Sequence, residues 1–116
     1  MYRNTLTTIT AVFMLTINLV FSQVVINEIH YNPASSQGSD NDFEFLELHN
    51  PGTTDIDISG YYFTEGIEHV FADATTLAAG AYLVLAKNSA SYAGSTQWGS
   101  GSLTNGGEDI EIVYIS

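Results

Sequence analysis

The stretch NDFEFLELHNPG, Asn41 to Gly52, decides how this chain folds. Large apolar side chains alternate with carboxylates, and Asn50-Pro51-Gly52 ends the run sharply. Alternation with period two marks a strand with one dry face and one wet face. Leu46 and Leu48 then point inward and Glu47 outward. Glu44 and Glu47 are three positions apart, so on a strand they face opposite ways and cannot flank one scissile bond as a glycosidase pair must.

Working outward from this strand, the same punctuation recurs. VVINEI, Val24 to Ile29, predicts a strand, followed by a long loop in which Asn32-Pro33 and Gly38 cannot continue a ladder. DIDIS, Asp55 to Ser59, sets Ile56 and Ile58 against Asp55 and Asp57. Tyr61 to Phe63 is a further apolar run, which the turn at Glu65-Gly66 joins to Ile67–Phe71 as a hairpin. Asp73 to Gly80 reads as a loop. AYLVLA, Ala81 to Ala86, is apolar on both faces and predicts a central strand buried between two layers. Lys87 to Thr104 is small and polar apart from Tyr92, Trp98 and Leu103, which predicts a loop or short edge pinned by an aromatic. Asn105-Gly106-Gly107 then turns into EDIEIVYI, Glu108 to Ile115, a last strand with no return strand to pair with it, so the sequence reads as cut short. Short strands at this spacing without helical patterns predict an all-β antiparallel sandwich.

The first 22 residues stand apart. Arg3 precedes an uncharged apolar run, and small Ser22 comes before Gln23, the pattern of a secretory signal peptide rather than of a membrane anchor. The domain therefore spans 23–116. The chain has 116 residues, 2 Lys+Arg against 13 Asp+Glu, and a formal charge of −11. Loss of Arg3 with the signal leaves Lys87 as the only basic side chain. Phosphate backbones bind through Lys and Arg, so nucleic acid and anionic membrane are excluded as partners. With 45% hydrophobic residues the chain can fill a core, and without cysteine it must do so by packing alone.

The order of these signals resembles the lamin tail domain family in its bacterial secreted form. The matching segments are Asn27-Glu28-Ile29, Glu44 to Asn50, Ile58 to Tyr61 and Gly80 to Leu85, while Trp98 to Ile112 resembles the tail of the nuclear lamins. The resemblance implies an immunoglobulin-like β-sandwich. It also implies non-catalytic work, as a module of secreted proteins beside hydrolases or adhesion domains. Two features depart from the family: Tyr61 stands where tryptophan is usual, and the last strand or hairpin is missing, which leaves an unpaired edge.

Several groups invite a chemical reading. Glu28 shares a strand face with Val24 and Ile26, so it is expected to be partly buried and to accept hydrogen bonds from loop N–H groups. Paired with Glu44 or Glu47 from another strand, it is the one arrangement that supports a hydrolase acting on phosphoesters or glycans. Asp40, Asp42 and Glu44 place oxygens at alternate positions, as calcium prefers, but Phe45 stands where a calcium loop needs glycine. A solvated acidic loop is the preferred reading, with a calcium-stabilised adhesion module as the alternative. His30, His49 and His69 lie on three segments and lack the close spacing of zinc sites. Trp98, Tyr61, Tyr62, Tyr82 and Tyr92 fit core and rim packing, or else a sugar-stacking platform or peptide groove. Nucleophile and phosphate-loop motifs do not occur. The sequence thus assigns no catalytic, cofactor or metal residue. It predicts a secreted or cell-surface binding or structural module whose partner is a protein or a surface glycan.

Overall fold

The computed structural model describes residues 23–115, and the expected signal segment lies outside them. The strands are β1 (Val25–His30), β2 (Phe45–His49), β3 (Ile56–Asp57), β4 (Tyr62–Phe63), β5 (Ile67–Val70), β6 (Thr76–Leu77), β7 (Tyr82–Ala86), β8 (Thr96–Gln97) and β9 (Ser100–Gly101). The first layer has the order β1-β2-β7-β8. Its first three strands are antiparallel, and the short β8 runs parallel to β7.

The second layer is one long, broken hairpin. β3 pairs with β6, β4 pairs with β5, and β9 adds to the far side of β5. Between the paired stretches the ladder continues through Ile58 N–H to Thr75 O at 2.9 Å and Gly60 N–H to Phe71 O at 2.9 Å. The break falls at Ala72–Ala74, where Ala74 adopts φ 60°. At β9, Gly101 has φ +87°, and a Cβ there would collide with the backbone carbonyl of Gly66, so only glycine lets β9 close on the β4–β5 turn.

The core lies between the layers. Val24, Leu46, Leu48 and Leu85 come from the first, and Ile58, Phe63, Ile67, Phe71 and Leu77 from the second. Trp98, Leu103 and Ile112 close the side. The architecture is an all-β, immunoglobulin-like sandwich: the spacing of short strands predicts the sandwich, and the family resemblance implies its immunoglobulin-like form.

Four expectations need correction. The acid-rich start of the opening stretch coils once before it extends: Asp40–Phe43 is a single helical turn, with Phe43 N–H bonded to Ser39 O at 3.2 Å, and β2 begins at Phe45. The loop after Asp73 contains β6. β7 is central in its sheet, but only Leu85 and Ala86 are buried and Tyr82 is 57% exposed, because Tyr82 pairs with outward-facing His49 and so lies on the face turned away from the second layer. Finally, Glu108–Ile115 does not form a ladder strand. It crosses the open side of the sandwich, pairing Val113 with Tyr62 in the second layer while the Tyr114 hydroxyl donates to Val24 O in the first at 2.7 Å. A segment tied to both layers cannot zip onto either.

The packing predicts a sharp contrast in urea denaturation. Leu48→Ala should lower stability by about 2–5 kcal/mol, the usual cost of emptying a buried leucine site. Val70→Thr, on the solvent face of β5, should change it by no more than about 0.5 kcal/mol.

Candidate functional site

The inward edge of β2 and its two extensions form a continuous buried stripe, Glu44, Leu46, Leu48 and Asn50. Its ends are polar, and each is fully partnered. Glu44, 2% exposed, accepts the Leu103 N–H at 3.1 Å and lies 3.5 Å from Lys87 Nζ. The Lys87 ammonium also donates to Ser102 Oγ at 2.6 Å. At the other end Asn50 Nδ2 donates to Thr54 O at 2.8 Å and Leu77 O at 3.0 Å, while its Oδ1 accepts Gly52 N–H at 3.0 Å. Both groups are structural clamps: Glu44 ties the Ser102–Leu103 loop to the first layer, and Asn50 ties in the second layer at β6.

The role expected of Glu28 belongs to Glu44. The pairing of β1 with β2 slips between Ile26 and Glu28, so that Asn27 is an extra, bulged residue. The bulge flips the face of everything after it. Glu28 pairs with outward-facing Glu47 and is exposed, and Asn27 Nδ2 donates to Glu47 Oε1 at 2.8 Å. Glu28 and Glu47 therefore adjoin on the outer face while Glu44 lies inside, which separates the carboxylates that a two-acid hydrolase would combine.

The calcium triplet is divided in the same way. Asp42 accepts Ser39 Oγ at 3.1 Å and Asn88 Nδ2 at 3.0 Å on the helical turn, whereas Glu44 is committed to Lys87 and Leu103. Nor do the histidines converge. His30 and His49 sit at opposite ends of β2, opposite Phe45 and Tyr82, and His69 belongs to the second layer. Among the described residues no group of three or more His, Asp or Glu is placed to hold a metal ion.

The aromatic residues divide into packing and surface. Trp98 is buried, with its Nε1–H donated to Gly101 O at 3.2 Å. Tyr61 meets Tyr114 edge to face at 4.9 Å. On the outer face of the first layer the rings form two groups with Glu28 and Glu47 between them. At one end His49 stacks on Tyr82 at 4.1 Å and 13°, with its Nδ1 3.1 Å from Ala81 O. A carbonyl only accepts, so the proton sits on Nδ1. At the other end His30 stacks on Phe45 at 5.0 Å, and Tyr92 meets the same ring edge-on at 5.0 Å. Tyr92 donates its hydroxyl to Phe43 O at 2.8 Å. Burial, reinforced by the nearby Glu28 charge and opposed by a Gln37 hydrogen bond, raises its pKa above the ordinary tyrosine value.

This is the structure of an immunoglobulin-like module whose polar interior serves the fold and whose outer sheet face carries the exposed rings. A model of the Lamin Tail Domain family matches residues 20–113, and the chain belongs to that family. No curated protein and no solved structure matches it. The motif segment Glu44 to Asn50 thereby acquires a physical meaning, since its first and last residues are the two buried clamps. Sequence reasoning assigned neither clamp, although both lie in phase with Leu46 and Leu48.

Two measurements test these assignments. Glu44→Ala, which leaves the Leu103 N–H and the Lys87 ammonium without their partner, should cost about 3–5 kcal/mol, whereas Glu44→Leu combined with Lys87→Met should cost less than Lys87→Met alone. His69 faces the core side of β5 beside Phe71, and burial lowers its pKa below the ordinary 6.5. The unfolded chain then binds the proton more readily, so stability is full above about pH 6.5 and falls as the pH drops through the folded-state pKa. His69→Phe should flatten that part of the stability profile relative to the wild type.

Proposed function

We propose that this lamin tail domain is an exported, non-catalytic interaction module that contacts a protein or a surface glycan through the outer face of its first layer. The observation that carries the proposal is the exposed His49–Tyr82 stack. A ring held flat by a partner and left open to water presents apolar area at low entropic cost, which suits both peptide and sugar contacts. The signal-like sequence of residues 1–22 supports export, and the scarcity of cationic side chains, 2 Lys+Arg against 13 Asp+Glu, argues against a nucleic-acid partner.

The test is binding of the full chain to a glycan array and to a panel of exported proteins, with Tyr82→Ala as the probe. A selective ligand bound about tenfold more weakly by the variant, at unchanged melting temperature, is the expected result. Equal binding by Tyr82→Ala would move the contact elsewhere. Turnover of a phosphoester or glycan substrate that is lost in Glu47→Gln would replace the proposal with an enzyme.

A further inference from the structure

β1 ends the first layer, and the direction of its backbone groups follows from bonds elsewhere in the sheet. Lys87 N–H donates to Glu44 O at 3.1 Å and Asn50 N–H to Ala81 O at 3.0 Å, so the even-numbered residues of this stretch turn their backbone groups toward β7. Alternation then turns those of Phe45, Glu47 and His49 toward β1, where their partners are His30, Glu28 and Val25. Ile26 and Ile29 are left with N–H and C=O directed at the free edge.

The Ile29 side chain is also out of place for an ordinary edge. It sits opposite fully buried Leu46 and so faces the interior, yet it is 43% exposed. The cause is a groove of about 440 Å³ between the end of β1 and the segment that crosses the open side. Ile29, Tyr31, Leu103 and Ile110 supply apolar walls, and residues 104–108 complete the far bank. A volume of this size lies within the roughly 300–1,000 Å³ of ligand pockets. What distinguishes it from a small-molecule pocket is the unpaired backbone along one wall, which matches another backbone.

We propose that this groove accepts an extended polypeptide segment that adds to β1 as a further strand, its alternate residues apolar toward Ile29 and Ile110 and basic toward solvent. The basic half follows from charge. Glu28 points outward from β1, and Glu108, Asp109 and Glu111 line or adjoin the opposite bank. Among the described residues Lys87 is the one basic side chain other than histidine, and it is held by Glu44 and Ser102. The molecule thus carries acids on both sides of the groove and no cation to spare for them, which selects a Lys- or Arg-bearing strand and disfavours a second copy of this acidic chain. The groove is separate from the ring-bearing face, so the two sites fail or stand independently.

The probe is a synthetic peptide of alternating valine and lysine, added to the isotope-labelled full chain. The expected result is amide shifts confined to residues 26–31 and 103–110, with the Ile26 and Ile29 amides gaining protection from exchange. Ile29→Pro removes an edge N–H that β2 does not use and should weaken binding about tenfold, the effect of one backbone hydrogen bond. Gly106→Trp guards against misfolding in the proline variant. A Cβ at Gly106, which lines the groove, meets no atom within 4 Å, so the backbone accepts a side chain there, and the bulky indole on this bank should weaken binding at unchanged melting temperature. Tyr82→Ala should leave the peptide affinity intact. Absence of amide protection, equal binding of an alternating valine–glutamate peptide, wild-type affinity in Gly106→Trp, or loss of binding in Tyr82→Ala would each overturn the proposal.

Discussion

The buried stripe Glu44–Leu46–Leu48–Asn50 is the constraint on which the rest of the structure depends. Its two leucines are ordinary core, but its polar ends have no access to water and must find partners inside the protein. Glu44 does so by capturing the Leu103 N–H and Lys87, and Asn50 by bonding Thr54, Leu77 and Gly52. Each clamp reaches across to a segment distant in sequence. A shift of β2 by one residue would put both groups in water and both leucines with them, so the clamps specify register as much as they add stability.

Alternation alone made the framework legible. It located β2, the run that becomes β1 and the hairpin of β4 and β5, and it put Leu46 and Leu48 inside with Glu47 outside. It failed where a local event changes the phase. One bulged residue, Asn27, sends Glu28 to the opposite face, and the alternation of VVINEI gives no sign of where the extra residue falls. The helical turn at Asp40–Phe43 likewise separates Asp42 from Glu44, which an extended chain would have kept on one side. The role of Glu44 was available from its phase with Leu46. The habit of placing carboxylates in water hid it, and only the position of Leu103, 59 residues away, shows what satisfies the charge.

Charge follows a similar division. One lysine can neutralise one buried acid, and Lys87 is used for Glu44, where an unpaired charge would cost most. The other acids are left to solvent, including Glu28 and Glu47, which face each other across β1 and β2 with only the Asn27 amide to soften the repulsion. Like charges directly opposite destabilise a strand pair. The pair is tolerated because it lies on the wet face, where water screens it, and because the core beneath owes nothing to it.

Stability and recognition therefore occupy different parts of the molecule. The side chains that hold the layers together are buried and satisfied, with no buried side-chain polar atom lacking a partner among the described residues. The features open to a ligand are those the fold does not use: the Tyr82 ring on the sheet face turned away from the second layer, and the edge of β1 beyond the reach of the crossing segment. Since the crossing segment is tied to both layers, it cannot extend along β1 without giving up contacts already made. The exposed apolar surface is thus a fixed consequence of the topology, and a partner that covers it need not disturb the core to bind.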